Sequence, residues 1–167
     1  MAEPLFYGRA DRDRIAALVD LHEGRLGLPV LDDPGIANLL ASARRIAVVG
    51  ASPDPTRPSN GVVRDLIRAG YDVVPVNPNA TEVEGLRCHP SVVDAVDATG
   101  PVDIVDVFRR SEYCADVARD ATAAGARCLW LQLGIADREA GRIAHEAGLL
   151  VVMDRCTSIE VRRLHHR

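Results

Sequence analysis

The chain has 167 residues, 47% hydrophobic and 26% charged, with a formal net charge of −4. That length suits one domain with a full core, and the acid excess argues against bulk binding to nucleic acid or to an anionic membrane surface. No apolar run approaches the roughly 20 residues of a membrane span.

The opening Met1-Ala2-Glu3-Pro4 has neither the basic nor the apolar stretch of a signal peptide. Residues 1–43 read as a helical extension packed on the domain that follows. Ile15, Leu18 and Val19 form an apolar helical stripe within Arg12–His22, broken by Gly24 and Gly27. Asp33-Pro34 opens a second helix, with Ile36, Leu39 and Leu40 on its inner face. Both helices are expected on one side of a sheet.

Residues 44–167 read as strand and helix in alternation. Ile46–Val49 is a β-branched run without polar alternation, as in a strand buried on both faces. Gly50 stops it, and a Pro/Ser/Thr/Asp-rich loop leads to Ser59-Asn60, expected to cap a helix ending at Gly70. Asp72–Val76 is the second strand and Asn77-Pro78-Asn79 a turn. Leu86–His89 is a short extended piece, followed by a short helix at Ser91–Val96. Val102–Val107 is the third main strand, and Ser111 is expected to cap a helix to Ala124. Arg127–Leu131 is the fourth strand. Asp137 caps a helix to Ala147, and Leu149–Met153 is the fifth strand. A last helical turn carries Ile159–Leu164. This alternation implies an α/β fold: a Rossmann-like, doubly wound, five-stranded parallel sheet, expected in order 3-2-1-4-5.

In such sheets ligands bind beyond the carboxyl ends of the strands. The candidate segments are therefore Gly50-Ala51-Ser52, Val76-Asn77-Pro78, Phe108-Arg109-Arg110, Gln132-Leu133-Gly134 and Asp154-Arg155-Cys156. A strand, a small-residue loop and a helix N-terminus together favour an anion. No lysine occurs, so a phosphate must be met by arginine or backbone N–H. The dinucleotide fingerprint is absent: no second glycine follows Gly50 at the required spacing, and the second strand ends without an acid. The Walker pattern fails too. Cys88, Cys114, Cys128 and Cys156 form no CxxC pair, which disfavours a disulfide framework or a zinc site and fits a reducing cytoplasm. His89 and His145 read as solvated, and His165-His166 as a frayed tail. Asp103 and Asp106 fall on opposite faces of their strand and do not form a catalytic pair.

Five ordered stretches resemble a known family. They are Ile46–Ser52 with Arg57-Pro58-Ser59; Val74–Pro78; Val102–Arg110; Trp130–Ile135; and Val151–Cys156. Together they are similar to the small CoA-binding proteins with a Rossmann-like domain, akin to the CoA-binding domain of the succinyl-CoA synthetase α subunit. Asn60-Gly61 departs from the bulkier residue expected after Arg-Pro-Ser. The resemblance implies coenzyme A or an acyl-CoA as ligand. Gly50, Ala51, Ser52 and the helix start at Pro58-Ser59 would hold the pyrophosphate, and Arg57 a phosphate. Val76, Asn77 and Pro78 would wall the adenosine portion. Phe108, Arg109, Gln132, Leu133 and Gly134 would line the other side. Cys156, beside Arg155, is a candidate redox thiol on the same edge. No catalytic constellation is recognisable, so the chain reads as a non-catalytic binding module. The alternatives are a short NAD(P)-linked oxidoreductase and a stand-alone CoA-binding subunit of an acyl-CoA ligase. A protein partner or a homo-oligomer is compatible with each.

Overall fold

A computed structural model describes residues 8–166. Its strands are β1 (Arg45–Val49), β2 (Asp72–Val76), β3 (Glu82–Val83), β4 (Leu86–Arg87), β5 (Ile104–Val107), β6 (Cys128–Leu131) and β7 (Leu150–Val152). Its helices are α1 (Arg9–His22), α2 (Asp33–Ser42), α3 (Pro58–Arg68), α4 (Val92–Thr99), α5 (Ser111–Ala123), α6 (Arg138–Glu146) and α7 (Thr157–His165). None is long and apolar enough to cross a membrane.

Five strands form one parallel sheet in the order β2-β1-β5-β6-β7, and β3-β4 make a separate antiparallel pair. The doubly wound pattern is the expected one, with one reassignment. The position outside β2 is filled not by the Val102–Val107 run but by the end of the Leu86–His89 piece. His89 makes a single parallel bridge to Val76. The His89 N–H donates to Pro75 O at 3.0 Å, and its carbonyl accepts from Asn77 N–H at 2.8 Å. Pro90 stops that piece before it becomes a full strand. The Val102–Val107 run supplies β5, which lies on the other side of β1. Every residue of β5 is buried, as a central strand requires. His89 is itself buried rather than solvated.

The pleat sends alternate side chains to two cores. Ile46, Val48, Ile104, Cys128 and Trp130 pack with α2, α3 and α7. Ala47, Val49, Val105, Val107, Leu129 and Leu131 pack with α1, α4, α5 and α6. The two N-terminal helices therefore cover opposite faces, not one. Between them the chain runs along the β7 edge, where Leu31 N–H donates to Val151 O at 2.9 Å.

Helix starts divide into two kinds. Asp32, Ser91 and Asp137 cap α2, α4 and α6 with side-chain oxygens that accept from Gly35, Asp94 and Ala140 N–H. The cap of α2 is thus one residue earlier than Asp33. The cap positions of α1, α3, α5 and α7 are Gly8, Arg57, Arg110 and Cys156, and none provides a side-chain cap. Ser59, Asn60 and Ser111, expected as caps, lie inside the first turns. Tertiary contacts claim them instead: Ser111 Oγ donates to Ala136 O at 3.2 Å.

Candidate functional site

The sharp turn after β1 depends on Gly50. Its φ is +84°, and a Cβ built there would sit 2.7 Å from the Phe108 carbonyl oxygen. Only glycine lets the first loop pass this close to the chain leaving β5. Side chains then fix the loop from behind. Asn77 Nδ2 donates to Ala51 O at 2.8 Å and Asn60 Nδ2 to Ser52 O at 3.0 Å. Ser59 Oγ accepts from Ser52 N–H at 3.2 Å. Further along, Asp54 accepts from both the N–H and the hydroxyl of Thr56. These bonds, the backbone one largest, hold its carboxyl below the ordinary range, with a smaller contribution from the Arg57 charge.

A cavity of about 1310 Å³ opens at the carboxyl edge of β1, β5 and β6. It brings together Gly50, Ser52, Arg57, Pro58 and Ser59 from the first loop and α3. Phe108 and Arg109 face it from beyond β5, and Gln132, Leu133 and Gly134 from beyond β6; Cys156 lines it too. Ala51, Val76, Asn77 and Pro78 do not line it. Ala51 is fully buried, and Asn77 turns its amide to the loop instead of to the cavity. The reason is topological: β2 lies outside β1, so the β1 loop stands between Asn77 and the cavity.

Sequence reasoning missed one wall. Gly8 and, from α1, Arg9, Ala10, Asp11 and Arg14 close the side opposite α3. Arg14 donates to Gly134 O at 3.1 Å, while Gly134 N–H donates to Asp154 Oδ1 at 2.6 Å. Asp154, at φ +55°, also shares a 2.7 Å hydrogen bond with His22. The Gly134 peptide is thus held at both ends, and α1 is tied to the site through it. No motif signals this wall; it follows from α1 packing on α5 through Ala17.

The cavity wall is basic although the chain is acidic. Among the described lining residues, Arg9, Arg14, Arg57, Arg109 and Arg110 are set against two carboxylates, Asp11 and Glu112. Arg14 pairs with Asp11 at 3.7 Å and the exposed Arg9 with Asp13 at 3.8 Å. Arg109 lies 4.7 Å over the Tyr113 ring. Among the described residues, no ion pair forms at Arg57, Arg109 or Arg110. The four uncapped helix starts, Gly8, Arg57, Arg110 and Cys156, all line this cavity, and the three capping residues Asp32, Ser91 and Asp137 do not.

Sequence reasoning named Gln132 but missed the two residues beneath it, Asp106 and Thr157. Gln132 is 3% exposed, and Asp106 and Thr157 beneath it are fully buried. Gln132 Nε2 donates to Asp106 Oδ1 at 2.7 Å and to Thr157 Oγ1 at 2.8 Å, and Thr157 Oγ1 donates to Asp106 Oδ2 at 2.8 Å. Burial pushes the Asp106 carboxyl up to about 7, against the lowering pull of Gln132 and Thr157. The signal in the sequence was a lone acid inside the apolar run Ile104–Val107.

The protein YneT of Bacillus subtilis is 39% identical over 124 residues, which are 74% of this chain and 90% of that one. A hypothetical protein from Pyrococcus horikoshii has a solved structure with a TM-score of 0.76 at 40% identity, covering 81% of this chain and 93% of its own. The dinucleotide-forming acetyl-coenzyme A synthetase 1 of Ca. Korarchaeum cryptofilum matches at a TM-score of 0.58 and 30% identity. That match covers 66% of this chain but only 26% of the synthetase. Residues 44–162 match the model of the CoA binding domain, and with this fold and these relatives the chain belongs to the CoA binding domain family.

Proposed function

We propose that this chain binds coenzyme A or an acyl-CoA in the carboxyl-edge cavity and acts as a binding module without chemistry of its own. One observation carries the reading: uncapped helix starts and arginines without carboxylates meet in a single cavity. Unsatisfied N–H groups and helix dipoles favour an anion, and guanidinium forks match phosphate oxygens. CoA brings a pyrophosphate and a 3′-phosphate. Gly50, Ser52 and the start of α3 at Pro58-Ser59 suit the pyrophosphate, and Arg57 suits a phosphate beside it. Phe108, Arg109, Gln132, Leu133 and Gly134 then line the path of the uncharged pantetheine arm. The cavity volume lies above the usual range for small-molecule sites, as a long ligand needs.

Calorimetric titration with CoA and with NADH tests the reading. CoA should bind and raise the melting temperature, since a ligand of the native state stabilises it by mass action. NADH binding, with no CoA binding at millimolar concentration, would overturn the proposal in favour of a dinucleotide-dependent oxidoreductase.

A further inference from the structure

The buried network of Asp106, Gln132 and Thr157 has a polarity that one proton can reverse. An ionised carboxylate only accepts hydrogen bonds. Next to it, Gln132 must turn its NH₂ inward, and both N–H groups are used, one on Asp106 and one on Thr157. The amide oxygen accepts nothing from the described residues and is the end left for the cavity. Protonated, Asp106 gains an O–H that needs an acceptor. Gln132 supplies one by rotating its amide half a turn, and its NH₂ then faces the cavity.

Few groups other than these face Asp106. On β6 the Cys128 thiol shares its side of the sheet; burial, and then the Asp106 charge, push that thiol's pKa up. On β1, the partner position Val48 is apolar. On α7, Arg155 pairs with Asp33 and Glu160, Arg163 with Glu160, and Arg162 with Asp65 of α3. Arg64 on α3 is half-buried. Among the described residues, burial, Gln132 and Thr157 set the Asp106 acid, and no cation offsets its charge.

This step rests on the CoA reading. The phosphates belong at the start of α3, beyond β1. Gln132 follows β6, two strands away, or about 10 Å at the usual strand spacing. A buried amide flanked by exposed Leu133 and by Ile135 suits the neutral end of the ligand. That end is an S–H, a weak donor, in free CoA. In an acyl-CoA it is a thioester, whose carbonyl accepts.

We propose that Asp106 is a positioning residue that sets the polarity of Gln132 toward the sulfur end of the ligand. Ionised, it favours free CoA; protonated, it favours the acyl thioester. The proton comes from and returns to bulk water, and no covalent bond changes.

The test measures the dissociation constants of CoA and acetyl-CoA by calorimetry at pH 5.5 and pH 7.8, where Asp106 is largely ionised and the CoA thiol still largely protonated. The 3′-phosphate titrates near pH 6, at about the usual second phosphate pKa, but it does so in both ligands and cancels in their ratio. The acetyl-CoA to CoA ratio of dissociation constants should rise about three- to tenfold between the two pH values, the span of one neutral hydrogen bond gained or lost. In Asp106→Asn the ratio should be flat. Gln132 is the only glutamine in the chain, so ¹⁵N-glutamine labelling gives a single side-chain NH₂ pair. Its shifts should titrate in the wild type and not in Asp106→Asn. If the variant fails to fold, the wild-type amide titration and ratio still decide. A flat wild-type ratio, or a Gln132 amide that does not titrate, overturns the inference and leaves CoA binding standing. A ratio that moves equally in Asp106→Asn overturns Asp106 as its cause. Failure of both ligands to bind at either pH overturns the CoA reading itself.

Discussion

Asp103 and Asp106 stand three residues apart, at opposite edges of one sheet, and the fold drives their acids in opposite directions. Burial alone would raise Asp103. The N–H groups of Arg44 and Arg45, at 2.8 and 3.0 Å, and the Arg127 guanidinium outweigh it and hold the acid below its ordinary range. At Asp106 the donors are the neutral Gln132 amide and Thr157 hydroxyl, burial outweighs them, and the acid sits at about 7. The edges differ in the same way. At the amino edge an open cavity of about 750 Å³ is lined by Arg44, Arg45, Asp72 and Asp103, and all of these but Arg44 stand in ion pairs, Arg45 with Asp72 and Asp103 with Arg127. Arg45 pairs with Asp72 at 2.5 Å and donates to the Thr99 carbonyl. At the carboxyl edge Arg57, Arg109 and Arg110 form no ion pair among the described residues. Charges that satisfy each other hold a fold together; charges left without partners around a cavity point to a ligand.

The largest expected effect tests the acid without a cation. Its folded pKa of about 7 lies above the unfolded value of 3.8. Its stabilising contribution is therefore fully present below 3.8 and lost as pH rises through 7. The loss is about 4 kcal/mol, from roughly 1.4 kcal/mol per unit. Asp120 and Asp137, whose acids burial also raises, add to the slope. The difference between wild type and Asp106→Asn isolates Asp106: in urea titrations from pH 4 to 8 the variant should lose most of the decline. Equal slopes would show that the carboxylate is better solvated than its surroundings imply. Asp103 acts the other way, contributing stability above its unfolded pKa that disappears as pH falls through the folded one.

Gly50→Ala comes next. It forces a side chain into left-handed backbone and against the Phe108 carbonyl, and should cost about 3 kcal/mol as well as CoA binding. Retained stability together with retained binding would mean that the first loop is not shaped by that close approach.

The strands were legible because each is an apolar run closed by glycine, proline or a polar turn, and a doubly wound sheet follows from their alternation with helices. The segments beyond the strand ends were legible for the same reason. The α1 wall was not, because Arg9 and Arg14 reach the cavity only through packing of Ala17 against the far face of the sheet. Asp137 was legible as the cap of α6, but the starts of α3 and α5 were not. Ser59 and Ser111 are good caps by residue type, but their hydroxyls serve Ser52 and Ala136, and the cap positions fall to Arg57 and Arg110. Asp106 could be seen as an acid in an apolar run. Its partners come from two other elements, and no local pattern connects them.

Two substitutions separate the edges directly. Asp103→Ala removes an acceptor from two backbone N–H groups and a guanidinium, and should cost about 2 kcal/mol of stability with CoA affinity unchanged. Arg57→Ala should do the reverse: affinity falls on the order of tenfold, as for loss of one charge-assisted hydrogen bond, while the denaturation midpoint stays put. A stability loss in Arg57→Ala without an affinity loss would assign that arginine to the fold and weaken the contrast.

The smallest effect is a chemical one, and it sharpens the same edge. Cys88, Cys114 and Cys128 are buried, whereas Cys156 is half-exposed, at the start of α7 on the cavity wall. Burial raises the Cys88 acid, and pushes Cys114 up to about 12, so neither is poised to form a thiolate. Arg155, expected to assist Cys156, points its guanidinium at Asp33 and Glu160 instead, so any reactivity of Cys156 must come from access and from the ligand. With CoA disulfide, the Cys156 sulfur attacks one ligand sulfur, a mixed disulfide forms, and one CoA leaves as its thiolate. Intact mass measurement should show one CoA adduct on the wild type. The adduct should be lost in Cys156→Ser and kept in Cys88→Ser, with no change in melting temperature between the unmodified proteins. An adduct that survives Cys156→Ser, or none on the wild type while CoA itself binds, would make Cys156 a packing residue and place the ligand's sulfur away from α7.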